Sequence, residues 1–285
     1  MNDPESTPQD QLSILRSSLK STYQEIEKKA VGMIQEGTIV DNPILANTNP
    51  DTRYSIAAIV MVNETADTFL GRATSALQEV ESEMMVTPSG FRHILLREVI
   101  FNPQGRNRVD TDAAAVRRYY NTIREAFEKP QGLIQLELVR LLPAIDKEQN
   151  SISVVGAFLP TDMKFVDARV KVHSAIEETG LPLTSRLGNV RVLFSTLGRL
   201  PHPPQQQGDN IPLLDILQEI NSQITPDITS NVSRIDMLST TLISYIWTNK
   251  HVYMDPPISL TTTNVPVQAR FITAKNKLIL DKNGS

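Results

Sequence analysis

Between Leu12 and Met33 the apolar residues fall at Leu12, Leu15, Leu19, Tyr23, Ile26, Ala30 and Met33. Steps of three and four put them on one helix face, and Gly37 follows close behind, so an amphipathic helix of about 25 residues is expected. Such a helix packs on its own body or on a partner; its own body is the simpler expectation. Asn42 to Asp51, rich in Asn, Pro and Thr, reads as a linker. The period then changes. Residues 54–62 form a short apolar run rich in β-branched side chains, a buried strand. Phe69, Ala73, Leu77 and Val80 keep helical register within 65–83, and 91–100 reads as a second strand after the Pro88–Gly90 turn.

The order then repeats. A helix is predicted over 111–127, stopped before Pro130. Two strands over 133–142 and 151–159 read as an antiparallel pair joined across 146–150. Thr161 or Asp162 caps a helix that reaches Glu178 and closes at Gly180. A strand over 191–200, a Pro- and Gln-rich loop over 202–210 and a helix over 212–224 follow. Strands are expected at 235–243 and 245–253, with an edge strand near Phe271 and Leu278–Leu280. These elements predict an α+β body of two pseudo-symmetric lobes, each an antiparallel sheet with helices outside, facing a central groove. The expected organisation is a leader, helix and linker over 1–52, the bilobal body over 53–260 and a tail over 261–285.

Composition narrows the chemistry. The 285 residues are 40% hydrophobic and 21% charged, as expected of a chain with a sizeable core. With no cysteine, disulfides, thiolate metal sites and cysteine nucleophiles are excluded. Among His93, His173, His202 and His251 no two stand at i, i+4, and HExxH is absent, so no metal or other cofactor is expected. Gly-x-Ser-x-Gly, a Walker loop and GxGxxG are absent too, which disfavours nucleophile-elbow hydrolases and dinucleotide enzymes. A net charge of −4 argues against a general polyanion binder. The acidic N-terminus MNDPESTPQDQ is unlike a secretory leader, and no apolar stretch is long enough to span a bilayer. A cytoplasmic or nucleocytoplasmic protein without a membrane partner is expected.

Two strands carry unusual polar residues within apolar runs. Strict alternation groups His93, Leu95 and Arg97 on one face of the first strand, with Ile94, Leu96 and Ile100 on the other. In the second strand it groups Phe194, Thr196 and Gly198, opposite Leu193, Ser195, Leu197 and Arg199. Two such strands facing each other place His93, Arg97 and Thr196 in a common groove.

At these strands the chain resembles the two-histidine (2H) phosphoesterases, which include RNA ligase/2′,3′-cyclic phosphodiesterase-type proteins. Their two motif strands each carry His-x-Thr, and the twins here are His93-Ile94-Leu95-Leu96 and Phe194-Ser195-Thr196-Leu197. The resemblance spans roughly Arg53 to Leu200. It implies that one histidine acts as general base and the other protonates the leaving oxygen, while the hydroxyls two positions on hold the phosphate. This chain departs in both halves, with Leu95 in place of a hydroxyl and Phe194 in place of a histidine. Each proton-transfer group contributes about 10²–10⁴ in rate, so the usual mechanism is crippled.

The resemblance makes His93 the acid–base residue and Thr196 the phosphate donor, with Leu95 and Phe194 lining the groove. Arg97 is expected as a supporting cation, an inference from its position rather than a family feature. Competing structural readings stand beside these. His93 can be a hydrogen-bonded strand histidine, Thr196 an ordinary β-former and Arg97 a paired strand arginine. His173 reads as a helix-flank residue, His202 as an exposed loop residue or as one that reaches back over the groove in place of the missing histidine, and His251 as a strand-end residue. Arg106, Arg108, Arg117 and Arg118 read as a solvated face or as a basic rim for RNA. Two functions follow. One is a weak phosphodiesterase for a 2′,3′-cyclic phosphate or a related nucleotide or RNA end. The other is a catalytically impaired phosphate- or nucleotide-binding or regulatory protein on the same scaffold.

Overall fold

The computed structural model describes residues 7–43, 45–46, 54–102, 109–146, 151–181, 192–208, 210–241 and 252–273. The strand expected at 245–253 lies largely outside them, as do most of the expected linker, Leu278–Leu280, His251, Arg106 and Arg108.

In chain order the elements are α1 (Pro8–Gln35), β1 (Tyr54–Met61), α2 (Glu64–Val80), β2 (Met85–Val86), β3 (His93–Asn102) and α3 (Val109–Ala126). There follow β4 (Ile134–Asp146), β5 (Ser151–Pro160), α4 (Lys164–Glu178), β6 (Phe194–Arg199) and α5 (Pro212–Ser222). The last are β7 (Thr229–Val232), β8 (Arg234–Thr241), β9 (Val252–Asp255), β10 (Ile258–Ser259) and β11 (Arg270–Thr273). The α+β order expected from the two repeated passages is the one observed. Three very short strands, β2, β7 and β10, escape the sequence reading, because a run of two to four residues carries no period.

Two antiparallel sheets result. The first runs β11-β9-β8-β1-β3 with β10 on β8; the second runs β2-β6-β5-β4-β7. Strands β3 and β6 pack against each other where the sheets meet. Helices α3 and α4 cover the first sheet on the face of Ile56, Ala58, Val60, Ile94 and Leu96. The opposite face carries a separate apolar cluster of Ala57, Ile59, Met61, Phe91, Leu238 and Tyr253, with Leu95 at its margin. Helices α2 and α5 pack on the second sheet, where Gly156 lets Leu70 of α2 approach; a Cβ there would lie 3.3 Å from its Cδ2 atom.

Helix α1 takes the other face of that second sheet. Thr7 and Asp10 close its N-terminus as a reciprocal capping box. Its buried stripe is Leu19, Tyr23, Ala30 and Ile34, flanked by Leu15, Ile26 and Met33. The expected helix therefore packs on its own body, and the second sheet is covered on both faces. Among the described residues no helix is long and apolar enough to cross a membrane.

Candidate functional site

The two motif strands share an irregularity at the same place. In β3, Leu95 pairs with Ile59 of β1 and Arg97 with Ala58, leaving Leu96 as the extra residue of a bulge. In β6, Thr196 pairs with Val155 of β5 and Gly198 with Val154, leaving Leu197 as the extra residue. Aligning His93 with Phe194 makes Leu96 the counterpart of Leu197, so both strands bulge one residue after the hydroxyl position. Both bulges are tied down. The Arg169 guanidinium on α4 donates to the Leu95 and Leu96 carbonyls at 2.8 and 3.0 Å. The Thr87 amide donates to the Leu197 carbonyl at 2.7 Å.

The bulges correct the alternation expected from the sequence. His93 and Leu95 share the face of the first sheet on which no helix packs among the described residues, paired with Met61 and Ile59. Arg97 is turned to the opposite face with Ala58, because the extra residue shifts the alternation by one. There burial lowers its pKa, opposed by the fields of Glu177 and Glu98, and it lies within the electrostatic reach of Arg169. In β6, Phe194 and Thr196 remain together, but Gly198 leaves their face and Arg199 joins it, paired with Ser153. Arg199 is held at 3.1 Å from the Asp146 carboxylate. The first-sheet cation expected beside His93 is thus absent from that face, and a second-sheet cation stands two register positions beyond Thr196.

Arg92 fixes the approach to His93. Its buried guanidinium sits 2.7 Å from Asp67 of α2 and also donates to the Asp67 carbonyl. Ser89 and Gly90 donate to the same Asp67 side chain, so this carboxylate gathers the turn that leads into β3. The His93 imidazole donates from Nδ1 to the Phe91 carbonyl at 2.9 Å, which leaves Nε2 as the basic nitrogen of the neutral ring. Burial lowers its pKa from the ordinary value, opposed by the Phe91 carbonyl and the field of Asp236.

Asp236 is a residue the sequence reading missed. It is buried on β8, paired with Ile59 on the face shared by His93, with Arg234 Nε at 3.7 Å. A carboxylate in the apolar run Ile235–Leu238 was the available signal.

A histidine with a lowered native pKa stays neutral while the unfolded chain takes up a proton. Stability contributed by the neutral ring is then complete above the unfolded pKa and is lost as pH falls through that value. Acidification from neutral pH toward pH 5 is expected to lower the urea midpoint less in His93→Gln than in the parent. Equal losses in both proteins would show that another group controls this window.

On the second sheet, Phe194 lies beneath α1. Its ring centroid is 5.2 Å from that of Tyr23. The Tyr23 hydroxyl donates to the Phe158 carbonyl at 2.7 Å and accepts from the Leu193 amide at 3.0 Å. The position where the resemblance expects a second proton-transfer group is therefore an aromatic contact with the N-terminal helix. The other expected groups lie elsewhere. His173 stands at the surface of α4, 3.1 Å from Glu177, and His202 is an exposed loop residue 3.0 Å from Asp41. Arg117 and Arg118 are exposed on α3, with Arg117 stacked over Phe271 at 5.3 Å. Among the described residues no cluster of three or more His, Asp or Glu is arranged to hold a metal ion.

No family model matches the chain, and no curated protein matches it. Solved structures do. A conserved protein of unknown function from Agrobacterium tumefaciens is 9% identical over 66% of this chain and 81% of its own, with a TM-score of 0.47. LigT of Escherichia coli in its apo form is 9% identical over 78% of this chain and 98% of its own, with a TM-score of 0.41. LigT complexed with 3′-AMP is 7% identical over 78% and 99%, with a TM-score of 0.38.

Proposed function

We propose that this chain is a 2H-phosphoesterase-like scaffold that binds a phosphate-bearing nucleotide or RNA end without efficient turnover. The observation that carries this reading is the Phe194–Tyr23 contact. General acid–base cleavage of a cyclic phosphodiester needs one group to take a proton and another to give one. His93 can serve as the first. The equivalent place on β6 is aromatic and packed under α1, so no partner histidine stands there. Thr196 and Arg199, on one face of β6, are the groups suited to a phosphate: a hydroxyl donor and a guanidinium fork, the latter shared with Asp146.

Chromatography of a 2′,3′-cyclic nucleotide incubated with the protein is expected to show no product above the buffer control, in the parent and in His93→Ala alike. Product formed by the parent and lost in His93→Ala would overturn the reading in favour of a weak phosphodiesterase. In the same buffer, millimolar 2′-AMP is expected to raise the melting temperature of the parent but not of Arg199→Met. The absence of a shift across nucleoside 2′-, 3′- and cyclic phosphates would remove the binding half of the proposal.

A further inference from the structure

Helix α1 lies over β4 and β5 and reaches β6 where Tyr23 meets Phe194; its buried stripe is supplemented by polar ties at separate points. Arg140, Ala157 and Phe194 form one cross-strand row through β4, β5 and β6. Glu27 reaches one end of this row, 2.8 Å from Arg140, and Tyr23, one turn earlier, stacks on the other end. Further toward the end of β5, Arg16 lies 2.6 Å from Glu137 and donates to the Pro160 carbonyl. Residues 16 and 27 are eleven apart, three turns, so both ions project from the buried side of the helix.

The chain beyond α1 is fastened separately. The helix ends at Gln35 and the chain turns at Gly37, whose φ is +65° and whose missing Cβ would meet nothing within 4 Å. Five residues later Asn42 is buried. Its amide donates to the Pro201 carbonyl, and its side chain donates to the Ser151 hydroxyl and accepts from the Leu45 amide. The Gly37 and Thr38 amides donate to the Ile34 and Met33 carbonyls, so this turn leaves with the helix, while Asn42 keeps the exit segment in place. The capping box lies within the helix itself, so α1 keeps that cap when detached.

We propose that α1 is a hinged strap: it swings about the segment between Thr38 and Asn42 and uncovers the Arg140–Ala157–Phe194 row of β4, β5 and β6 at free energies below global unfolding. This opening rests on the helix attachment alone. Its consequence, wider access for a phosphate-bearing ligand to Thr196 and Arg199 beside that row, rests on the function proposed above.

The absence of native cysteine makes the opening measurable. Ala157 is fully buried on the row beneath α1. In Ala157→Cys, modification of the thiol by dithionitrobenzoate is expected to outpace global unfolding followed by circular dichroism. Adding Arg16→Ala and Glu27→Ala is expected to speed modification about tenfold, since each partly exposed ion pair contributes modestly. High salt should speed it in the parent pair and not in the triple variant. Modification at the global unfolding rate in both proteins overturns the strap.

Should Ala157→Cys fail to fold, hydrogen exchange on the native chain decides the matter. Peptides of α1 exchanging well before those of β4 and β5 support opening, and simultaneous exchange refutes it. A thermal-shift series with 2′-AMP on the Arg16→Ala, Glu27→Ala protein then tests the ligand consequence separately. A larger shift than in the parent supports gating. An unchanged shift removes gating and leaves the opening to the thiol result. No shift in either protein fails the binding proposal, not the strap.

Discussion

Arg169→Met is expected to lower stability by about 3–6 kcal/mol, because two charge-assisted hydrogen bonds to carbonyls are lost together. Both acceptors, Leu95 and Leu96, belong to the bulge in β3. Burial brings the Arg169 pKa down to about 10, opposed by Tyr23, with the neighbouring Arg97 lowering it further. The guanidinium nevertheless stays charged at neutral pH. Its plane also stacks over Phe165 at 4.9 Å, so the fork is held before it meets the strand. Arg169→Lys should recover only part of the loss, since an ammonium lacks the planar fork that reaches two carbonyls. Urea titration measures the loss. Hydrogen exchange locates it: β3 amides should lose protection ahead of those in β4 and β5. A loss below about 1 kcal/mol would mean that the bulge satisfies its carbonyls without Arg169.

That bulge also marks the boundary of what the sequence discloses. Period-two alternation correctly pairs His93 with Leu95 and Phe194 with Thr196, because both pairs precede the extra residue. It fails at Arg97 and Arg199, which follow it. Leu96 and Leu197 are ordinary apolar strand residues, and nothing local announces that one residue is skipped in pairing. The cause is non-local: Arg169 arrives from α4, and Thr87 from the segment after β2. Likewise the apolar stripe of α1 was legible, but the surface receiving it was not. Helical spacing says which side of a helix is greasy and is silent about which sheet face lies opposite. Asp236 was legible in principle as a carboxylate amid Ile235, Met237 and Leu238, yet its relation to His93 depends on β1 lying between their strands.

Tyr23→Ala is expected to cost about 3–5 kcal/mol, the range for removing a buried aromatic side chain. Melting temperature should fall by roughly 10 °C on the scale of a chain this size. The side chain is almost wholly buried and fills the space over Phe194, while its hydroxyl bridges the Phe158 carbonyl and the Leu193 amide. Burial raises its pKa far above the ordinary phenol value, so the hydroxyl keeps the proton that it donates. Tyr23→Phe separates the two contributions. It keeps the ring and strands one donor and one acceptor, at a cost of about 1–3 kcal/mol. If α1 is only a cover, Tyr23→Ala should leave the cooperative unfolding of the two sheets intact and shorten the helical signal that melts with them. If α1 is integral to the second sheet, the same substitution should destabilise β4, β5 and β6 as a unit. Hydrogen exchange distinguishes the outcomes, since local detachment strips protection from α1 and the Leu193 amide first. The hinge geometry predicts that order: the Asn42 anchor holds the start of β5 at Ser151 after the helix departs, so the sheet loses a cover before it loses its edge.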